Sequence, residues 1–428
     1  MLGDRQNSAS GELVLSARPY QEIVECRVCG GRELAEIMHL GEQALASRFP
    51  RQGEPDPVKA PLALVHCGDC GLVQLRHSVD QDELFTYGYG YKSGTNATMR
   101  AHLRELVTWV EERCGLDAGA LVVDVGSNDG TLLKSYNSSG LRRVGIDAIA
   151  GKFRDAYPDG IDLHEDFFST DVYRSIFGQE KAKVITSIAM FYDLPAPHEF
   201  VAAIRSALAP DGIWVLEQSY LPTMLEINAY DTICHEHLEY YALRQIEWLA
   251  KAEDLRVFDV ELNACNGGSF RLAVCHDRSS YRSNDGQLSL LHKLEADMAL
   301  ESRSPYEAFK HRVDRLRDSL TELVDRERAA GKTFCLYGAS TKGNTLLQYC
   351  GLDAGKIVAA AERNPEKWDC RTPGTGIPII SEEKARAARP DYFLVMPWHF
   401  RNEFVKREAA FRRSGGRLVF PLPTLEVV

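Results

Sequence analysis

The stretch ALVVDVGSNDGTLL, residues 120–133, constrains this chain more than any other. It runs from an apolar strand into an acid, a glycine turn and the start of a helix. RRVGIDAIA (142–150), KVITSIAMFYDL (183–194) and GIWVLEQS (212–219) read as further strands. Strands alternating with helices imply a parallel sheet, with ligand at the carboxyl ends of its strands. KTFCLYGASTKGNTLLQYC (332–350) opens a second unit of the same kind. KIVAAAERNPEKW, PDYFLVMPWHF and GGRLVFPLP continue it.

A helix over 304–330 joins the two units. Phe309, Val313, Leu316, Leu320 and Leu323 recur at three- and four-residue steps, as one core-facing stripe. Ser304 reads as its N-cap, with Pro305 in the first turn and Glu307 completing a capping box.

Cys26, Cys29, Cys67 and Cys70 form two CxxC pairs, each followed by glycine. Four thiolates at that spacing fit one closed tetrahedral Zn²⁺ site, which would hold together a small domain with little core of its own. The prolines between the pairs (Pro50, Pro55, Pro57, Pro61) argue against helix there. The seven remaining cysteines are scattered and read mostly as small buried hydrophobes.

The 428 residues suggest roughly three domains, with boundaries expected at 1–20 (lead-in), 21–80, 81–285 and 286–428. A net charge of −11 argues against broad binding to nucleic acid or anionic membrane. The polar first twenty residues and the lack of a long apolar run point to a cytoplasmic protein. A monomer is expected.

The first loop, VDVGSNDG, lacks the GxGxxG pattern that brings backbone to a pyrophosphate. Asp124, Gly126, Ser127 and Asn128, with Asp147 ending the second strand, fit a nucleoside better. Asp147 can accept two ribose hydroxyl bonds. Asp166, Phe167 and Phe168 follow the next strand and offer a polar contact and an aromatic wall to a base. Together these resemble class I S-adenosylmethionine-dependent methyltransferases.

Further signals sharpen the resemblance. After the CxxC pairs come YKSGTNATMRAH, VGSNDGTLL, YDTICHEHLEYY, GGSFR, YGASTKGNTLL and ERNPEKWDCRTPGTGIPI, in that order. In this the chain resembles the nucleotide-sugar C-methyltransferases from about Cys26 to its end. The resemblance implies an α/β fold with three parts: a small N-terminal zinc-binding domain, a central class I methyltransferase Rossmann-like domain and a C-terminal Rossmann-like domain. It implies methyl transfer from S-adenosylmethionine to C3 of an NDP-4-keto-6-deoxyhexose, with zinc structural.

Such chemistry needs a base for the proton beside the C4 ketone, and the stretch CHEHLEYY (234–241) offers imidazoles. The resemblance implies His237 as the base and Glu236 as its orienting carboxylate, expected to favour the imidazolium. His235 is a second candidate or a sugar contact. Tyr91, and with it Tyr89, resembles the family's active-site tyrosine. Lys342, Ser340, Asn344 and Trp398 are expected to contact the nucleotide-sugar, Lys342 at its diphosphate. Cys234 stands where family members have tyrosine, and Asp193 aligns with a family histidine. Those departures leave the donor to the enolate open. A metal at His235 and His237 remains an alternative, although they lack the His-Glu-x-x-His spacing of zincins. A nucleotide-dependent oxidoreductase and a zinc-bearing scaffold are the competing classes.

Overall fold

The computed structural model describes residues 19–80, 83–84 and 92–428. Its central unit is a seven-stranded sheet. The first three strands, Leu121–Val125, Arg142–Ile146 and Ile161–His164, run outward in order on one side. On the other side lie Ala182–Ile188, then Leu208–Ser219, Ser269–His276 and Leu255–Asn263. Only Ser269–His276 runs against its neighbours. The order reverses between Leu121–Val125 and Ala182–Ile188, so the crevice outside their carboxyl ends is where such a sheet takes ligand. These strands are apolar on both faces because helices cover both. The helix Ala97–Arg113 buries Leu103, Leu106, Val107 and Val110 against one of them. Its start is set by Asn96, whose side chain accepts from the Thr98 N–H at 2.8 Å.

The C-terminal unit is a six-stranded sheet in the order Ile379–Ser381, Ala359–Glu362, Phe334–Tyr337, Tyr392–Val395, Arg417–Phe420, Glu426–Val427, with only the last strand antiparallel. The linking helix spans Ser304–Ala329 and buries Phe309, Val313, Leu320 and Leu323, as the periodicity requires. Its N-cap differs from expectation. Arg303 occupies that position with no side-chain cap bond, and Ser304 is already helical. Pro305 in the first turn is enough to begin the helix without a hydroxyl cap.

The N-terminal unit is a four-stranded antiparallel sheet, and its edge strand comes from elsewhere. Leu34–Ala44, Lys59–Cys67 and Val73–Leu75 are joined by Glu239–Tyr240, from within CHEHLEYY. The helix Thr341–Cys350 fastens the C-terminal unit to the same sheet. Gln348 exchanges bonds with the Ala44 backbone at 2.8 and 3.1 Å, and the Asn344 amide donates to the Ala46 carbonyl at 2.6 Å. All three units therefore meet around residues 230–241.

Candidate active site and zinc centre

Sulfurs of Cys26 and Cys70 lie 3.6 Å apart, and those of Cys29 and Cys67 3.5 Å apart. All four fall within 4.8 Å of one another. Four ligands at about 2.3 Å around Zn²⁺ would have edges of roughly 3.8 Å, so the residues present fit the ion.

At the crevice, Gly126 has φ of +72°, and a Cβ there would meet Met190 Cγ at 3.1 Å. Glycine thus keeps the loop open beside the sheet. Asn128, also left-handed at φ 51°, donates its N–H to Asp147 Oδ2 at 2.8 Å. The Ile149 N–H holds Oδ1 at 2.9 Å. Burial pushes the Asp147 carboxyl up, against the pull of these N–H groups and Lys152. Ser127 lies 2.8 Å from the Tyr157 hydroxyl. The loop is strapped from above: Ser93 N–H donates to Asn128 Oδ1 at 3.0 Å and Gly94 N–H to Asp129 Oδ2 at 2.9 Å. A fixed carboxylate, an open glycine turn and exposed backbone suit the ribose and methionine ends of S-adenosylmethionine.

Two other expected cofactor contacts serve the fold. Asp124 is buried and takes the Thr186 hydroxyl at 2.5 Å; burial pushes its carboxyl up to about 7. Phe168 packs on Phe200 and Tyr173. Asp166 and Phe167 stay exposed at the strand end, where they can meet a base.

His237 sits in the stretch between the units. Its Nδ1 is 2.7 Å from the Thr232 carbonyl, which can only accept, so Nδ1 carries the proton and Nε2 a lone pair. Tyr192 packs on the ring at 4.4 Å between centroids. Glu236 does favour the imidazolium, as expected, but it does not set the balance. Burial and then the Lys342 charge outweigh that carboxylate and lower His237 to about 4.

The neighbouring residues differ in direction. His235 is buried and faces the N-terminal sheet, its Nε2 3.0 Å from the Ala60 carbonyl. Glu236 is buried with neither oxygen hydrogen-bonded by the described residues. Beside it, burial and this carboxylate push the Cys234 thiol up, and they hold Asp193 well above the usual carboxylate range. Tyr89 and Tyr91 lie outside the described residues.

In the C-terminal unit, Lys342 donates to the Asn266 carbonyl at 2.9 Å. Its charge reaches Asp231, His237 and His399. Trp398 donates to Asp231 Oδ2 at 2.8 Å, fixing the turn that leads into CHEHLEYY. Ser340 caps its helix by accepting from the Gly343 N–H at 3.1 Å. Asn344 is buried against the N-terminal sheet and is not brought to the site.

One cluster had not been anticipated. Glu217, at the carboxyl end of Leu208–Ser219, binds His102 through Oε1. Its Oε2 takes Arg271 Nε at 2.7 Å and Asn263 Nδ2 at 2.9 Å. Burial opposes a charge on His102, yet hydrogen bonds to Cys265 and Glu217 win and raise it to about 10. The ligand atoms of His102, Glu217 and Cys265 lie within 4.8 Å of one another, as a metal site would need. A strongly held proton and the buried Arg271 compete with a cation there. The signal available in the sequence was an acid ending an otherwise apolar strand.

Residues 26–85 match a family model for a zinc binding domain, 96–260 one for a methyltransferase domain, and 264–423 one for a C-methyltransferase C-terminal domain. The C-methyltransferase NovU of Streptomyces niveus is 33% identical over 411 residues, covering 95% of this chain and 97% of NovU. Among solved structures, magnesium protoporphyrin IX methyltransferase of Synechocystis, with bound SAH, is 14% identical at a TM-score of 0.34. It covers 44% of this chain and 90% of its own. LepI in complex with SAM is 17% identical at the same score, over 46% of this chain and 57% of its own.

Proposed function

Because the chain belongs to the C-methyltransferase family and is an S-adenosylmethionine-dependent enzyme, we propose that it methylates C3 of a nucleotide-linked 4-keto-6-deoxyhexose. The observation that carries this reading is the state of His237, a neutral imidazole with its Nδ1 proton spent on Thr232 and Nε2 left as a base.

S-adenosylmethionine, when bound, supplies an electrophilic methyl group. Asp147 would accept its ribose hydroxyls, and the Gly126–Ser127 turn would hold its methionine part. Nε2 of His237 takes the C3 proton, which the C4 ketone has made acidic, and the resulting enolate is the carbon nucleophile. Glu236 stabilises the imidazolium that forms. Trp398 keeps the His237 turn in place through Asp231. Tyr91, Tyr89 and Asp193 are the remaining candidates to line the sugar. Crowding three units around this stretch excludes water, which would otherwise protonate the enolate.

The test is incubation with a panel of NDP-4-keto-6-deoxyhexoses, S-adenosylmethionine and the zinc-loaded protein. A product heavier by one methyl group, with the new carbon at C3, is expected. Methylation only on oxygen or nitrogen, or on no sugar of the panel, would remove the proposal.

A further inference from the structure

Lys342 stands in the first turn of the ten-residue helix Thr341–Cys350, at the junction of the central and C-terminal units. One of its three N–H bonds goes to Asn266, which leaves two. The helix N-terminus adds a positive field of its own. The Asn266 carbonyl adjoins Gly267, where a Cβ would lie 3.4 Å from Trp398; Trp398 binds Asp231 at 2.8 Å, and Thr232 beside it holds His237, so three groups from two units gather near the ammonium. His237 and His399 are half-buried, and Asp231 is 2% exposed, with Oδ1 receiving no hydrogen bond from the described residues. His399 lies against Trp398 and Phe400, at 5.6 and 4.3 Å between rings, and no described residue bonds either of its nitrogens. Burial and the Lys342 charge press it down to about 3, so it stays neutral and keeps one N–H to give.

An ammonium beside a catalytic base weakens that base. The arrangement is useful only if the charge is needed at the moment the base works. That moment is proton removal, when His237 becomes positive and an equal negative charge appears on the acceptor. Diphosphate carries its charge throughout and needs no place beside the base. The keto oxygen acquires its charge only within reach of the base.

We propose that Lys342, with neutral His399 as a second donor, holds the acceptor's carbonyl oxygen as it becomes an oxyanion, opposite Nε2 of His237. This assignment rests on the C-methyl transfer reading. The C–H proton passes to Nε2, the C–H pair becomes the new C=C bond, and the carbonyl π pair moves onto the oxygen facing Lys342. In the second step the carbonyl re-forms, the C=C pair bonds the methyl carbon, and the C–S pair stays on sulfur. A fixed ammonium is suited to this because it needs no reorganisation as charge develops. A neutral imidazole donor beside it adds a hydrogen bond without further weakening the base.

The experiment uses the full-length, zinc-loaded protein. In substrate-free enzyme, the titration of His237 is followed by NMR in wild type and K342M; the midpoint is expected to rise in K342M. Exchange of the substrate C3 hydrogen with deuterated water, at saturating sugar and with S-adenosylhomocysteine, is expected to slow by about 10²–10³-fold in K342M. H399Q is expected to slow it by a smaller factor. K342R keeps the charge and is expected to retain most of the exchange, which separates the effect from misfolding. Affinities of K342M for dTDP, UDP and GDP are expected to stay within about twofold of wild type. If K342M instead loses nucleoside diphosphate affinity and exchanges at the wild-type rate when saturated, Lys342 is a diphosphate anchor and the proposal falls alone. If wild type transfers no methyl group to any keto sugar, the reading it rests on falls and takes the proposal with it.

Discussion

Glu239 lies opposite Gln74 in an antiparallel ladder, so the strand leaving His237 is the edge strand of the zinc-binding sheet. Arg27, inside the first CxxC turn, strengthens this join. Its N–H and guanidinium reach Gln74 Oε1 at 3.1 and 3.3 Å, and its Nε lies 3.6 Å from Glu239. An ion held by the four cysteines would therefore be mechanically connected to the stretch that carries the proposed base.

Cys67→Ser is expected to abolish stoichiometric zinc and to lower activity, although no sulfur belongs to the reaction centre. Metal analysis and limited proteolysis check this. Full zinc content in the variant would show that the four cysteines do not act as one site.

Asp147→Ala removes a carboxylate held ready by two backbone N–H groups. Loss of a charged hydrogen bond of about 1.5–3 kcal/mol predicts a roughly 10- to 150-fold weaker affinity for S-adenosylhomocysteine. Calorimetry with unchanged affinity would take Asp147 out of the cofactor site.

His237→Ala is expected to lower kcat by about 10²–10⁴-fold with cofactor binding intact. The pH profile carries a second, independent expectation. With His237 lowered to about 4, the base is neutral above that pH, so the acid limb of kcat/KM falls near 4 rather than near 6.5. A limb at 6.5 would mean that the imidazole is not held by burial and Lys342 as described.

His102 gives a pH dependence of stability. Its folded-state value, about 10, lies above the ordinary 6.5. Its contribution is therefore full below about 6.5 and is lost as pH rises toward 10. Wild type should lose more thermal stability than His102→Gln between pH 6.5 and 10. Parallel losses in melting temperature would contradict the Glu217 pairing.

Much of this architecture was written in local patterns. ALVVDVGSNDGTLL carries strand and turn within fourteen positions, although only the short 3₁₀ turn Leu133–Ser135 follows where a helix start was expected; Cys26, Cys29, Cys67 and Cys70 announce their site by spacing alone. Residues whose meaning depends on distant partners were not legible. His235 and His237 look equivalent in sequence, yet one meets Ala60 and the other Thr232. Asn344 and Lys342 share one turn of helix and serve different neighbours. The His102–Glu217–Arg271 cluster joins residues far apart in the chain, so no window of sequence contains it. Glu236 helps the imidazolium as its adjacency suggests, yet the net balance was not legible for a related reason: burial and a lysine more than a hundred positions away decide it.

The Glu239–Tyr240 strand also redefines what can be exchanged between relatives. A chimera cut after residue 80 would carry three strands of the N-terminal sheet and leave the fourth behind in the recipient. Its edge would then have to accept a foreign partner at the segment that orients the base. The transplantable module is thus discontinuous: the zinc-bearing segment together with residues 238–241, moved as one piece.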